Sequence, residues 1–205
     1  MGSLVLVRHG QSQWNEKNLF TGWKNPDLTK KGEIEAITAG KRLKESGYIF
    51  DLMFTSVLLR AKRTGELILR ELDQIDLKII KNKALNERNY GDLSGLNKDD
   101  ARKKWGKEQV HKWRRSYIVS PPGGESLKET AERVIPYFIS NILPLLKENQ
   151  DIIITAHGNS LRSLVMYLDN LDPEEVVNLE IPTGMPICYD INNKGVVKNK
   201  TLIEI

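Results

Sequence analysis

Leu4–Val7, Leu52–Phe54 and Ile152–Ile154 are apolar without a break: LVLV, LMF and III. A strand with one wetted face alternates apolar and polar residues, whereas a strand buried on both faces does not. Such strands belong to parallel sheets with helices on either side. This feature narrows the fold more than any other, because it excludes sandwiches and barrels built from one-sided strands. A fourth, shorter run, LKII, ends at Ile80.

The stretches between these runs carry helix signals. Thr29 can cap a helix that ends near Ser46, where Gly47 stops it. VLLRAKRTGELILREL has helical spacing at Leu58, Ala61, Leu67, Leu69 and Leu72. Two short charged helices are expected at Lys98–Trp105 and Glu108–Arg115, and a long one from about Ser126 to Lys147, kinked at Pro136. NSLRSLVMYL is a further helix, while Asn86–Gly95 and SPPGGES read as loops. The end of the chain, GMPICYDINNKGVVKNKTLI, reads as two strands about a turn at Asn193–Gly195. The pattern specifies an α/β fold: a three-layer α/β/α sandwich around a mostly parallel, mixed sheet with one antiparallel strand. The piece from Asn97 to Pro122 is a helical insertion near the site, and residues 1–205 form a single domain.

Composition narrows the function classes. Cys188 is the only cysteine, so no internal disulfide forms, which fits a reducing, cytoplasmic setting. The three histidines, His9, His111 and His157, show no metal-ligand spacing, so no metal site is expected. No apolar run reaches the ~20 residues of a membrane span, and no leader-like segment precedes the first strand. The formal net charge of +4 is spread among interleaved acids and bases, which points to a solvated surface rather than a membrane or nucleic-acid tract. Cys188 reads as a core residue and His111 as exposed.

The apolar runs end unusually. The first ends on Arg8, His9 and Gly10, and the run DIIITA on His157, Gly158 and Asn159. Ligands of open α/β sheets bind outside the carboxyl ends of the strands. If both strands are parallel, two of the three histidines meet at one sheet edge. A histidine ending a strand is commonly a capping residue, but two at equivalent ends, each followed by glycine, favour a site. A neutral imidazole can accept a phosphoryl group. Arg8 offers a planar fork for phosphate oxygens, Gly10 lets backbone approach a ligand, and Gln11, Ser12 and Asn15 add polar groups. The helix after Gly158 turns its N-terminus to the same edge. Arg60, in the first turn after FDLMFTS, leans back toward it, the alternative being a surface salt bridge.

With those residues goes a wider match. RHGQSQWN, FTGW, SVLLRAKRT, LNERNYGDLSGLNK, WRRSY, GGESL and AHGNSLR resemble the histidine phosphatase superfamily and, within it, the cofactor-dependent phosphoglycerate mutases. The resemblance runs from about Leu4 to Pro186. It implies interconversion of 3-phosphoglycerate and 2-phosphoglycerate, primed by 2,3-bisphosphoglycerate and without a metal. It implies that His9 is transiently phosphorylated, that Glu87 moves the proton and that His157 stabilises the transferring phosphoryl. Arg8, Arg60 and Asn15 would hold that group, and Thr21 and Gly22 the substrate end. Arg88, Tyr90, Lys98, Arg114 and Arg115 would bind the carboxylate and second phosphate, with Asn159 beside Gly158. The partners implied are small phosphoglycerates, not nucleic acid or a membrane, and association as a dimer or a tetramer is left open.

Elementary electrostatics fits most of this. Neighbouring cations keep His9 neutral and nucleophilic. They also lower Glu87, yet an acid must hold a proton near neutral pH, so burial or the anionic substrate must offset them. The chain departs from the pattern at Gln11, where many relatives have glutamate, in its tight SPPGGES segment, and in the polar tail of longer members. Two rivals stand beside the mutase reading: a phosphohydrolase on the same fold, which needs no second anion pocket, and a phosphate-sensing or nucleic-acid-binding module, which forms no phosphohistidine.

Overall fold

The computed structural model describes residues 1–204. Six strands form one sheet in the order β3-β2-β4-β1-β5-β6: β1 is Gly2–Arg8, β2 Leu52–Thr55, β3 Ile79–Lys81, β4 Ile152–Ala156, β5 Pro186–Ile191 and β6 Val197–Leu202. β1 through β4 are parallel, β5 runs against β1, and β6 against β5. Only β5 therefore opposes the other strands, in keeping with the single antiparallel member expected. β1 and β4 are central neighbours, with Arg8 opposite Ala156.

Helices cover both faces. Leu4, Leu6, Leu52, Phe54, Ile152 and Ile154 pack under α6 (Leu127–Asn141), α7 (Leu143–Lys147) and α8 (Gly158–Asp169). The intervening Val5, Val7, Met53 and Ile153 pack under α2 (Lys30–Glu45) and α3 (Leu59–Glu71). The period of two along each strand, with both phases apolar, produces the three layers. Each such buried side chain is worth roughly 1.5–3 kcal/mol, which makes the sheet a rigid base for whatever sits at its edge. A satellite core of Phe20, Leu93, Ala101, Val110 and Trp113 fixes the insertion, α4 (Lys98–Trp105) and α5 (Lys107–Arg115), over that edge.

Three local features differ from expectation. The loop after β1 contains a four-residue helix, α1 (Gln13–Glu16), started by a capping box between Ser12 and Asn15. The long helix, expected to reach Lys147, runs through Pro136 but is broken in two at Ile142. Pro144 is responsible, since it lacks the N–H that would continue the ladder and sits in the first turn of α7, where none is needed. α9 (Pro173–Asn178) was not expected, although Asp172, Pro173 and Glu175 spell a capping box with proline at the first helical position. Cys188 is buried and His111 exposed.

Candidate active site

The parallel pairing of β1 and β4 brings the two His-Gly ends together. The rings of His9 and His157 lie 5.0 Å apart, edge to face, and both residues are buried. His9 Nδ1 is 2.7 Å from the Gly10 carbonyl. A carbonyl only accepts, so Nδ1 carries the proton and Nε2 the lone pair. Nε2 receives the Arg60 Nε–H at 3.3 Å. Arg60, at the start of α3, donates its remaining nitrogens to the carbonyls of Lys24 and Gly22, each at 2.9 Å. Burial, then the charges of Arg60 and Arg8, hold His9 well below the ordinary histidine range. Burial depresses Arg60 too, to about 10, leaving it cationic at neutral pH. His9 is thus a neutral imidazole with its lone pair aimed at a cation.

His157 is depressed by burial, Arg60, His9 and Arg8. Its Nε2 meets Ser56 Oγ at 2.7 Å, and Ser56 Oγ also accepts the Leu58 N–H. The buried His157 Nδ1 and Arg8 Nε have no hydrogen-bond partner among the described residues. Arg8 Nη1 is anchored on the Ile181 carbonyl at 2.8 Å.

Glu87 completes the floor. Its Oε1 accepts the backbone N–H groups of Arg88 at 2.8 Å and Asn159 at 3.0 Å. Burial pushes this carboxyl up, but the Arg88 N–H, the Arg60 and Arg8 charges and the Asn159 N–H outweigh it, and the net shift is downward. Burial alone does not keep Glu87 protonated. Its backbone carbonyl is gripped by Trp23 Nε1 at 2.6 Å and Arg133 Nη2 at 2.8 Å.

Arg8, His9, Arg60 and Glu87 floor a cleft of about 160 Å³, lined also by Asn15, Thr21, Gly22, Tyr90, Lys98, Arg114, Arg115, Gly158 and Asn159. Sites for drug-sized ligands run roughly 300–1,000 Å³, so this cleft suits a compact anion. Lys98 starts α4, and Arg114 and Arg115 end α5. The insertion therefore supplies a second group of cations to the cleft that His9 lines.

Five expected residues do not line the cleft: His157, which is fully buried beside His9, and Gly10, Gln11, Ser12 and Arg88. A Cβ on Gly10 would lie 2.1 Å from the Gly32 carbonyl oxygen, so the close approach that demands glycine is to α2, not to a ligand. Gln11 takes the Thr29 hydroxyl on Oε1 at 2.9 Å. Ser12 caps α1 and so orients Asn15, whose Oδ1 accepts the Ser12 N–H at 3.0 Å. Arg88 is buried behind the wall: it lies 4.8 Å over the Tyr90 ring and donates to the Tyr90 hydroxyl and the Arg114 carbonyl. Residues not foreseen include Ser56, Arg133, Arg162 and Glu180. Arg162 and Glu180 line the cleft. Arg162 had a signal, one helical turn after Gly158 on α8 and so able to reach the same edge. Glu180, an acid in a loop, had none.

A family model for the histidine phosphatase superfamily (branch 1) matches residues 4–200. The 2,3-bisphosphoglycerate-dependent phosphoglycerate mutase of Parvibaculum lavamentivorans is 61% identical over 202 residues, covering 98% of this chain and 96% of that protein. The protein of the same name from Bartonella bacilliformis is 58% identical over 202 residues, covering 98% of each. Among solved structures, the alpha-ribazole phosphatase from Shigella flexneri superposes with a TM-score of 0.84 at 25% identity, covering 98% and 96%. Bacillus stearothermophilus YhfR gives 0.84 at 23% identity, covering 97% and 95%, a likeness of fold alone.

Proposed function

The chain belongs to the histidine phosphatase superfamily, and from that premise we propose that it is a 2,3-bisphosphoglycerate-dependent phosphoglycerate mutase, an isomerase of glycolysis and gluconeogenesis. It interconverts 3-phosphoglycerate and 2-phosphoglycerate through a phosphohistidine. The observation that carries the reading is one small cleft with cations from two sources: Arg8 and Arg60 around His9, and Lys98, Arg114 and Arg115 from the insertion. A substrate with a phosphate and a second anionic end needs both. A simple phosphohydrolase needs the first only.

The cleft also fits the doubly phosphorylated primer, since the buried, unpartnered Arg8 Nε and His157 Nδ1 await acceptor oxygens. When bound, 2,3-bisphosphoglycerate supplies the phosphoryl group that charges His9. His9 Nε2 is the nucleophile, its tautomer set by the Gly10 carbonyl. Arg8, Arg60 and Asn15 hold the phosphoryl, and His157 donates to it. Phosphoryl transfer is mostly positioning and charge stabilisation, which these cations provide without a metal.

Glu87 acts in sequence. When phospho-His9 gives its phosphoryl to a monophosphoglycerate hydroxyl, a base must take that hydroxyl's proton, and the low-lying Glu87 carboxylate suits this step. On the return transfer the proton goes back to the departing oxygen as His9 takes the other phosphoryl. The anionic substrate offsets the cations that otherwise keep Glu87 ionised. Tyr90, Lys98, Arg114 and Arg115 hold the far end, Arg88 supports Tyr90, and Thr21, Gly22 and Asn159 close the walls. We place the enzyme in the cytoplasm, as a glycolytic role and a free buried cysteine suggest; among the described residues no helix is long and apolar enough to cross a membrane.

The test follows 2-phosphoglycerate and free phosphate together, from 3-phosphoglycerate with a trace of 2,3-bisphosphoglycerate and a metal chelator. Abundant 2-phosphoglycerate with little phosphate is expected, and none from folded His9→Ala. Phosphate without 2-phosphoglycerate would make the chain a phosphohydrolase, and turnover by His9→Ala would remove His9 as nucleophile.

A further inference from the structure

Glu180 lines the same cleft, in the loop between α9 and β5. Its Oε1 accepts from Arg115 Nη2, and its Oε2 lies 3.6 Å from Arg162 Nη2. Arg115 is held on its other nitrogen by the Val177 carbonyl at 3.2 Å. Arg162 is tied to the Leu179 carbonyl at 2.7 Å and Asn159 Oδ1 at 3.1 Å. Both arginines are therefore fixed by protein acceptors without Glu180, whose side chain is 67% exposed. Its carboxylate sits between two cations, one of which, on the reading above, takes the substrate's second anionic group.

We propose that Glu180 is a specificity-determining residue, an intramolecular counter-anion that the second anionic group of a phosphoglycerate must displace from Arg115. A tethered carboxylate competes at high effective concentration. It weakens every ligand that uses Arg115 and leaves untouched a ligand that uses only Arg8 and Arg60. Glu180 thereby keeps the second group of cations from retaining its product, and opposes capture of polyanions that would engage Arg115 and Arg162 together.

This inference rests on the mutase reading, and its test separates the two. Glu180→Gln keeps the shape and removes the charge. Relative to wild type, KM for 3-phosphoglycerate is expected to fall three- to tenfold, while inhibition by inorganic phosphate, which needs only the floor, stays within twofold. In an Arg115→Ala background, Glu180→Gln should then change KM by less than twofold, because the competitor has lost its target. A raised KM in Glu180→Gln would overturn the proposal, since Glu180 would then be positioning Arg115 for substrate. So would an unchanged KM, or an effect that persists without Arg115. Far-ultraviolet circular dichroism and the unfolding midpoint establish that each variant is folded, and wild-type production of 2-phosphoglycerate separately establishes the reaction.

Discussion

His9, His157 and Glu87 share a property that composition does not reveal: each is buried, and each is held in the form that protonation would destroy. For the histidines the folded pKa lies below the unfolded value, by burial first and the arginines next. The unfolded chain then takes up protons before the folded one does. Their contribution to stability is full above about pH 6.5, the unfolded value, and is lost as pH falls toward the folded values. Glu87, lowered despite burial, acts in the same direction at more acid pH, below its unfolded value of 4.5. Urea unfolding between pH 7.5 and 5 should therefore show stability falling with acid, the slope approaching roughly 2.7 kcal/mol per pH unit for two histidines below about pH 6. His9→Gln should roughly halve that slope. A flat profile would mean that both imidazoles take up protons in the folded chain at the same pH as in the unfolded one. At this scale the two His-Gly ends were legible because residue type and position coincide. The ionisation of Glu87 was not, because it depends on the balance of one desolvation against two N–H donors and two cations.

Elements were legible where a local signal had no rival. α2 starts at its Thr29 cap and ends before Gly47, as read. The chain misled where two signals competed: Pro136 and Pro144 lie on one apolar periodicity, and the break falls where a second helix can begin. Gly32 shows a further limit, because its importance is set by a partner distant in sequence. A Cβ there would lie 2.1 Å from the Gln11 carbonyl oxygen, as one on Gly10 would from the Gly32 oxygen. The loop bearing His9 is thus pressed backbone to backbone against α2. Both contacts are to backbone, which cannot swing aside. Gly32→Ala should cost about 1–3 kcal/mol in urea unfolding, the usual range for an overpacked site. It should also lower kcat at least tenfold, although residue 32 touches no ligand, because His9 and Asn15 shift with the loop. Loss of stability with kcat intact would show that the strain relaxes through α2 and leaves the catalytic loop in place.

For the whole molecule, the informative quantity is where the charge lies. The cleft is lined by six cations, Arg8, Arg60, Lys98, Arg114, Arg115 and Arg162, and two carboxylates, Glu87 and Glu180. With neutral histidines, that excess equals the formal net charge of the entire chain, +4. The rest of the surface is balanced, as the interleaved acids and bases of the sequence suggested. Residue position brought Arg8 and Arg60 to one edge and the family resemblance added Lys98, Arg114 and Arg115; that α8 delivers Arg162 there as well went unread, because it depends on how the helix packs. A concave site of one sign in a balanced surface focuses the field on incoming anions. Salt shortens the reach of that field, to about 10 Å at 0.1 M. Between about 0.01 and 0.3 M ionic strength, kcat/KM for 3-phosphoglycerate should fall by roughly tenfold, while kcat changes little, because the bound substrate is already among the cations. Sodium chloride and sodium acetate should give overlapping curves when plotted against ionic strength. Curves that separate by anion would mean occupation of the cleft by the salt itself, and a parallel fall in kcat would mean that salt disturbs the transfer step; either result would remove long-range steering as the source of the cleft's selectivity for anions.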